Sequence, residues 1–260
     1  MGMSDGNVNW PLFFGCILIA FGPLASLFFV VVAKRAQLVI IALSGAFTWL
    51  VAILVSATLW RIIPPLKSSI EATIPVSVVV QEISRYVFYV LYTRTERAVL
   101  KVTTSSNQFP LNDITSSLAG GVGFSIMHSL MMYGSVVGSS TGTRGAAFSA
   151  SCESVPLIFS AAMTTLALTL MDVALMVVAF DGYRKKSFVA IGAVFVIHMG
   201  VALSVSKQAA SVLRMIGSRV ALANKSTNGC TVSIPLHFAG ALVATGAAAL
   251  MISRRNAGAN

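Results

Sequence analysis

The sequence is dominated by apolar runs that are too long for the helices of a soluble protein. A helix needs about 20 residues, rising about 1.5 Å each, to cross a hydrocarbon layer of about 30 Å. Seven runs in the 260-residue chain reach this length, at about 11–33, 38–60, 72–92, 115–137, 156–180, 187–206 and 231–252. We therefore predict an all-α integral membrane protein, one membrane domain over residues 1–260, built as a bundle of seven transmembrane helices.

The charge pattern predicts the orientation of this bundle. The net charge of +10 would suggest nucleic acid as the partner of a soluble protein. Here the Lys and Arg residues concentrate at the ends of apolar runs, so we expect a lipid membrane and no nucleic acid as the partner. With the N-terminus outside, eleven of the 18 basic residues fall on the inner side. The positive-inside rule then places the N-terminus in the lumen or outside the cell and the C-terminus in the cytosol.

The sixth connection and the cysteines carry weaker signals. Residues 211–220 place apolar side chains at helical spacing among arginines, which is typical of an amphipathic helix at the membrane interface. Asn224 begins an Asn-Lys-Ser glycosylation sequon on the predicted lumenal side. The cysteine pattern leaves open both a Cys152–Cys230 disulfide and unpaired thiols.

Five ionisable residues interrupt the apolar runs: Glu82, Arg85, His128, Asp172 and His198. Each costs roughly 2.5–3.5 kcal/mol at the bilayer centre, so each needs a reason to be there. The spacing predicts that Glu82 and Arg85 pair on one helix face, and that His128 is a core histidine bonded to a carbonyl. Glu82, Asp172 and His198 come from three helices at a similar depth, which predicts a polar mid-membrane cavity or a contact joining helices.

The link between the fifth and sixth runs is short, so these two helices should be antiparallel neighbours. Asp172 and His198 would then lie close enough for a charge-assisted hydrogen bond, which is the pairing we predict.

Catalytic motifs of membrane proteases are missing from the sequence. Asp172 and Asp181 are about 13 Å apart along one helix and cannot share a proton as an aspartyl dyad does. A His-Glu-x-x-His zinc motif is absent, and Ser125 or Ser129 with His198 would be a forced match to a serine protease of the rhomboid type. We expect no catalytic residue, cofactor or metal. A transporter of small polar solutes, using Glu82, Asp172 and His198, is the alternative function that the polar layer leaves open.

Small residues recur every four positions in the fourth run, at Gly121, Ser125 and Ser129. Small side chains let two helix backbones approach closely, so this stripe predicts a helix-packing face. The partner of that face is either another helix of this chain or a helix of another protein.

Short motifs recur in register across several runs. They are Phe13-Phe14-Gly15-Cys16, Ala20-Phe21-Gly22-Pro23, Gly45-Ala46-Phe47 with Trp49-Leu50-Val51 and Trp60, Gln81-Glu82-x-x-Arg85 with Tyr89, Phe180-Asp181 before Arg184-Lys185-Lys186, and Ala190-x-Gly192 with His198. This pattern closely resembles the anterior-pharynx-defective family, the seven-span scaffold subunit of γ-secretase.

The resemblance implies a non-catalytic assembly subunit of an intramembrane aspartyl protease. Its partners would be nicastrin, presenilin and the presenilin enhancer subunit, and it would act in protein processing, including Notch signalling, in the endoplasmic reticulum, Golgi and plasma membrane. The chain departs from the family at three positions. Ser125 and Ser129 stand where the family has glycines, and Asp172 stands where it has a histidine.

The predicted topology can be tested with a reporter. A reporter fused after Asn260 should be cytosolic, and Asn224→Gln should remove the endoglycosidase-sensitive mass from a glycosylated chain. A reporter active only in the lumen would contradict the orientation.

Overall fold

The structure is a computed structural model that describes residues 10–64, 66, 70–102, 113–140, 148–149, 152–204 and 230–257. These ranges hold seven long helices: α1 (Trp10–Leu27), α2 (Ala36–Ile62), α3 (Ile70–Val102), α4 (Asp113–Ser140), α5 (Leu157–Lys185), α6 (Phe188–Ser204) and α7 (Cys230–Ala257). A π-helical turn, Phe28–Val32, continues α1. The all-α membrane bundle predicted from the sequence is confirmed.

Five helical segments of the described chain are long and apolar enough to cross a membrane. They are Trp10–Val32, Ala36–Ile62, Ala72–Ala98, Leu157–Lys185 and Ile234–Ser253. The helix α6 is apolar but has only 17 residues. The helix α4 has 28 residues, but its many glycines and serines lower its hydropathy. For α4 and α6, membrane crossing therefore remains a prediction.

The helix α5 is the centre of the bundle. Within its apolar window 72% of the residues are buried, against 22% to 28% in the other four spans. It packs against α1, α3, α4, α6 and α7. The largest buried apolar cluster joins α5 to α6 and α7, and includes Met171, Leu175, Val178, Val194, Val201, Ala241, Ala244 and Ala248. A helix that is apolar on every face is suited to this central position.

The helices α2 and α4 approach each other through glycines to which the sequence analysis gave no packing role. A Cβ atom at Gly123 would collide with the backbone carbonyl of Ala42, and one at Gly45 would collide with the backbone carbonyl of Gly120. Helices in lipid have no hydrophobic drive to associate, so van der Waals attraction must hold them together. Direct contact between backbones maximises that attraction.

Two connections differ from their predicted form. The helix α3 continues ten residues past its predicted end at residue 92, because charged residues end the apolar run without ending the helix. The fourth connection, where the all-α prediction places no strand, contains two antiparallel strands, β1 (Phe148–Ser149) and β2 (Cys152–Pro156). The predicted interfacial helix and the Asn224 sequon lie outside the described residues, as do the side chains of Cys152 and Cys230.

The crossing of α2 and α4 predicts an unusual sensitivity to one methyl group. Gly123→Ala should destabilise the chain by about 1–3 kcal/mol, because the new Cβ forces the two backbones apart. Gly134→Ala is the matched control on the same helix, since a Cβ there meets no atom within 4 Å. Thermal unfolding in mild detergent measures both, and equal midpoints for the two variants would contradict the close approach.

Candidate functional site

One buried guanidinium organises the polar residues of the bundle. Arg85 on α3 has no solvent-exposed side-chain surface. Its Nη1 donates to Oε1 of Glu82 on the preceding turn of the same helix. Its Nη2 donates to Oδ1 of Asp172 on α5 over 3.4 Å, and the side chain of Asp172 is also fully buried. The predicted Glu82–Arg85 pair is therefore confirmed, and Arg85 also ties α3 to the central helix.

Each carboxylate of this network also contacts a histidine. Nδ1 of His128, on α4, lies 2.6 Å from Oδ2 of Asp172. Nδ1 of His198, on α6, lies 2.5 Å from Oε1 of Glu82. Two carboxylate–imidazole pairs thus flank one guanidinium, and the network joins α3, α4, α5 and α6.

This arrangement corrects two predictions. The predicted hydrogen bond between Asp172 and His198 is wrong, because Asp172 pairs with His128, and His198 pairs with Glu82. The expectation that His128 bonds a carbonyl is wrong as well, since its Nδ1 faces a carboxylate. The short link between α5 and α6 made His198 of α6 the expected partner of Asp172. The rotation of α4 about its own axis instead turns the imidazole of His128 toward Asp172.

Aromatic rings complete the surroundings of the network. The guanidinium carbon of Arg85 lies 5.3 Å from the centroid of the Phe124 ring on α4. The ring of Trp49 on α2 stacks on His128, with centroids 5.2 Å apart and planes 24° apart. The contact with Phe124 places the cationic guanidinium over the electron-rich face of an aromatic ring, which is a favourable arrangement. The sequence analysis gave neither Trp49 nor Phe124 this role, although both occupy the middle of apolar runs beside the polar layer.

The charges of the network nearly cancel. Glu82 and Asp172 carry two negative charges and Arg85 one positive charge, and each carboxylate also has an imidazole nitrogen within hydrogen-bonding distance. A charge-balanced, mutually bonded group costs less in a low-dielectric interior than any of its members alone. The residues therefore stabilise one another.

The geometry does not suit acid–base catalysis by a carboxylate dyad. Arg85 lies between Glu82 and Asp172 and bonds both, so the two carboxylates do not share a proton. Asp181, the other aspartate of α5, pairs with Lys185 at 2.9 Å. Within the described ranges, no three His, Cys, Asp or Glu side chains are grouped as a metal site would require.

The small-residue stripe of α4 faces α5. A Cβ on Gly121 would lie 3.0 Å from the Cβ of Met176. The buried hydroxyl of Ser125 donates to the carbonyl of Thr169 over 3.2 Å, and buried Ser129 donates to the carbonyl of Ser125 over 2.7 Å. In the structure, these contacts place the stripe inside the chain.

A second ionic contact lies at the basic end of the same helices. Arg184 of α5 bonds Glu96 of α3 at 3.1 Å and Asp113 of α4 at 2.6 Å. The sequence analysis counted Arg184 only as a topology signal. The helices α3, α4 and α5 are therefore tied in the buried core of the bundle and again at one end.

These features define a multi-pass membrane bundle with a charge-compensated core. The family model described as Aph-1 protein matches residues 11–255. The chain belongs to the Aph-1 family, which confirms the resemblance seen in its motifs.

Curated relatives come from plants and animals. The gamma-secretase subunit APH1-like of Arabidopsis thaliana is 28% identical over 229 residues, covering 85% of each chain. The gamma-secretase subunit Aph-1b of Danio rerio is 30% identical, over 73% of this chain and 76% of the relative. The gamma-secretase subunit APH-1B of Homo sapiens is 28% identical, over 72% of this chain and 75% of the relative.

The pairing within the network predicts a specific pattern of energetic coupling. Asp172→Leu should destabilise the chain by about 3–5 kcal/mol, because it leaves buried Arg85 and His128 without their shared partner. In double-mutant cycles, Asp172→Leu with His128→Leu should show coupling of about 0.5–3 kcal/mol. Asp172→Leu with His198→Leu should show less, because these side chains do not bond.

Denaturant unfolding in mild detergent gives each value. The cycle of Glu82→Leu with His198→Leu is the positive control, since these two side chains are in contact. Coupling between Asp172 and His198 as large as that between Asp172 and His128 would contradict the assigned pairs.

Proposed function

We propose that this chain is the non-catalytic assembly subunit of a γ-secretase complex, in which it holds presenilin and nicastrin together with the presenilin enhancer subunit. Membership of the Aph-1 family and the names of the relatives support a place in this complex. The proposal includes an outer N-terminus, a cytosolic C-terminus and a role in Notch processing in the endoplasmic reticulum, Golgi and plasma membrane.

The observation that carries the proposal is the closed ionic network around Arg85. Its five members come from four helices and engage one another, so no carboxylate is left as a free acid or base. A group of this kind fixes the rotation of helices, as a buried polar residue fixes the register of a coiled coil. Holding helices in fixed positions is the task of a scaffold, and this task requires no catalytic group.

The outer faces of the bundle support the same role. Large apolar side chains are exposed along α2 and α3, among them Phe47, Leu54, Ile83 and Leu91. In a membrane, such faces contact lipid or the helices of other subunits. A rigid interior with an apolar exterior is the arrangement expected of a subunit that presents surfaces to partners.

The solute-transporter alternative is less well supported. A transported polar solute needs groups that it can reach and bond in turn. Here Asp172 and Arg85 are fully buried, and Glu82 and His198 bond each other. Breaking the network to admit a solute would leave buried charges unpaired.

Affinity purification from the native host in mild detergent tests the proposal. A tagged chain should co-purify with presenilin and nicastrin homologues, identified by mass spectrometry. Purification of the chain alone, together with solute uptake by liposomes that contain it, would favour the transporter instead.

Two serine variants sharpen this test. Ser125→Leu should lower recovery of the assembled complex, because overpacking at the contact between α4 and α5 costs about 1–3 kcal/mol. Ser135→Leu is the control, since Ser135 is exposed and bonds only the carbonyl of Met132 in its own helix. An equal loss for both variants would indicate general misfolding.

A further inference from the structure

An open groove runs between the first half of α2 and the second half of α3. It has a cavity volume of about 490 Å³ and opens to the surroundings of the bundle. Four large apolar side chains on its walls, Ile40, Leu43, Phe47 and Leu91, are between 53% and 66% exposed. The groove lies on the outer surface, away from the ionic network.

Three hydroxyl groups on the walls of the groove are bonded within their own helices. The hydroxyl of Ser44 donates to the carbonyl of Ile40 at 2.9 Å, and that of Thr48 to the carbonyl of Ser44 at 2.8 Å. On the opposite wall, the hydroxyl of Thr95 donates to the carbonyl of Leu91 at 2.9 Å. With these hydroxyls bonded, the walls between them suit a hydrocarbon chain.

One mouth of the groove is strongly basic. Lys34 and Arg35 are exposed immediately before α2, and Arg35 precedes the groove residue Ile40 by about 8 Å along the axis. On α3, exposed Arg94 is next to the groove residue Thr95. The same end of α3 adds two more exposed cations, Arg97 and Lys101.

The acidic residue in this part of α3 does not cancel that charge. Glu96 pairs with Arg184 of α5 at 3.1 Å. The mouth therefore combines basic side chains from two helix ends with an apolar channel that begins one to two turns deeper. Basic clusters where transmembrane helices meet one face of the membrane attract anionic lipid headgroups.

We propose that this groove binds one anionic phospholipid. An acyl chain lies against Leu43, Phe47 and Leu91, and the headgroup lies among Lys34, Arg35 and Arg94. The apolar walls select a lipid over a free anion, and the basic mouth selects an anionic headgroup over a zwitterionic one. The lipid comes from the leaflet on the Lys34 side of the membrane.

Native mass spectrometry of the full chain, purified with its partners in mild detergent, tests this site. The probes are phosphatidylserine and phosphatidylcholine with identical acyl chains, supplied at equal concentration. The wild-type chain should retain phosphatidylserine at least about fivefold better, as expected for a difference of one basic contact or more. Equal retention of the two lipids would overturn the proposal.

Charge variants locate the site. Arg94→Gln should reduce the preference for phosphatidylserine severalfold, and Lys34→Gln with Arg35→Gln should abolish it. Arg61→Gln is the matched control, because Arg61 is an exposed cation at the opposite end of α2. The proposal fails if Arg61→Gln lowers the preference as much as Arg94→Gln does.

Two further measurements distinguish the occupants of the groove. Leu43→Trp should fill the groove and remove retained lipid without changing the thermal midpoint of the lipid-free chain, and glycerophosphoserine without acyl chains should not compete. A photo-crosslinking residue at Leu91 should label phospholipid. Competition by the free headgroup, or a crosslink only to a polypeptide, would overturn the proposal.

Discussion

The burial of Arg85 is the constraint from which much of the packing follows. A guanidinium cannot be deprotonated in a protein, and the fully buried Arg85 cannot reach water, so it must be matched by negative charge. Glu82 supplies one carboxylate from the same helix, but the second comes from Asp172, which fixes α3 against α5. Each carboxylate then pairs with an imidazole from a further helix. One cation thus determines the facing sides of four helices.

The helix α5 combines two properties that usually exclude each other. It is apolar enough to be buried on most sides, yet it carries Asp172 in a fully buried position. The aspartate is tolerated because Arg85 and His128 approach it from two different neighbours. Elsewhere the bundle relies on close contact without charge, as where Gly123 meets the backbone of Ala42. Directional bonds join α4 to α5, whereas α4 meets α2 through close backbone contact.

The sequence predicted those features that depend on one helix at a time. The membrane spans follow from the thickness of the hydrocarbon layer, and the Glu82–Arg85 pair follows from their spacing on one turn. Features that require the relative rotation of two helices were missed or mispaired. His198 was assigned to Asp172 because the link between α5 and α6 is short, but a short link fixes adjacency and leaves rotation free. The contact of Gly45 with Gly120 was missed for the same reason, because it joins α2 to α4 and depends on the relative rotation of these two helices.

A charged interior and an apolar exterior have complementary consequences for assembly in a membrane. Buried ion pairs add little net stability, because desolvation offsets much of their attraction, but a mispaired arrangement is penalised heavily. The network around Arg85 therefore adds little to the stability of the observed packing of α3 to α6, but it strongly disfavours other packings of these helices. Apolar contacts in lipid do not distinguish one packing from another in this way, since Leu43 or Phe47 packs as favourably against lipid tails as against another helix. Placing the selective contacts inside leaves the outer faces of α2 and α3 free to contact lipid or partner helices, while the positions of those faces are already fixed from within.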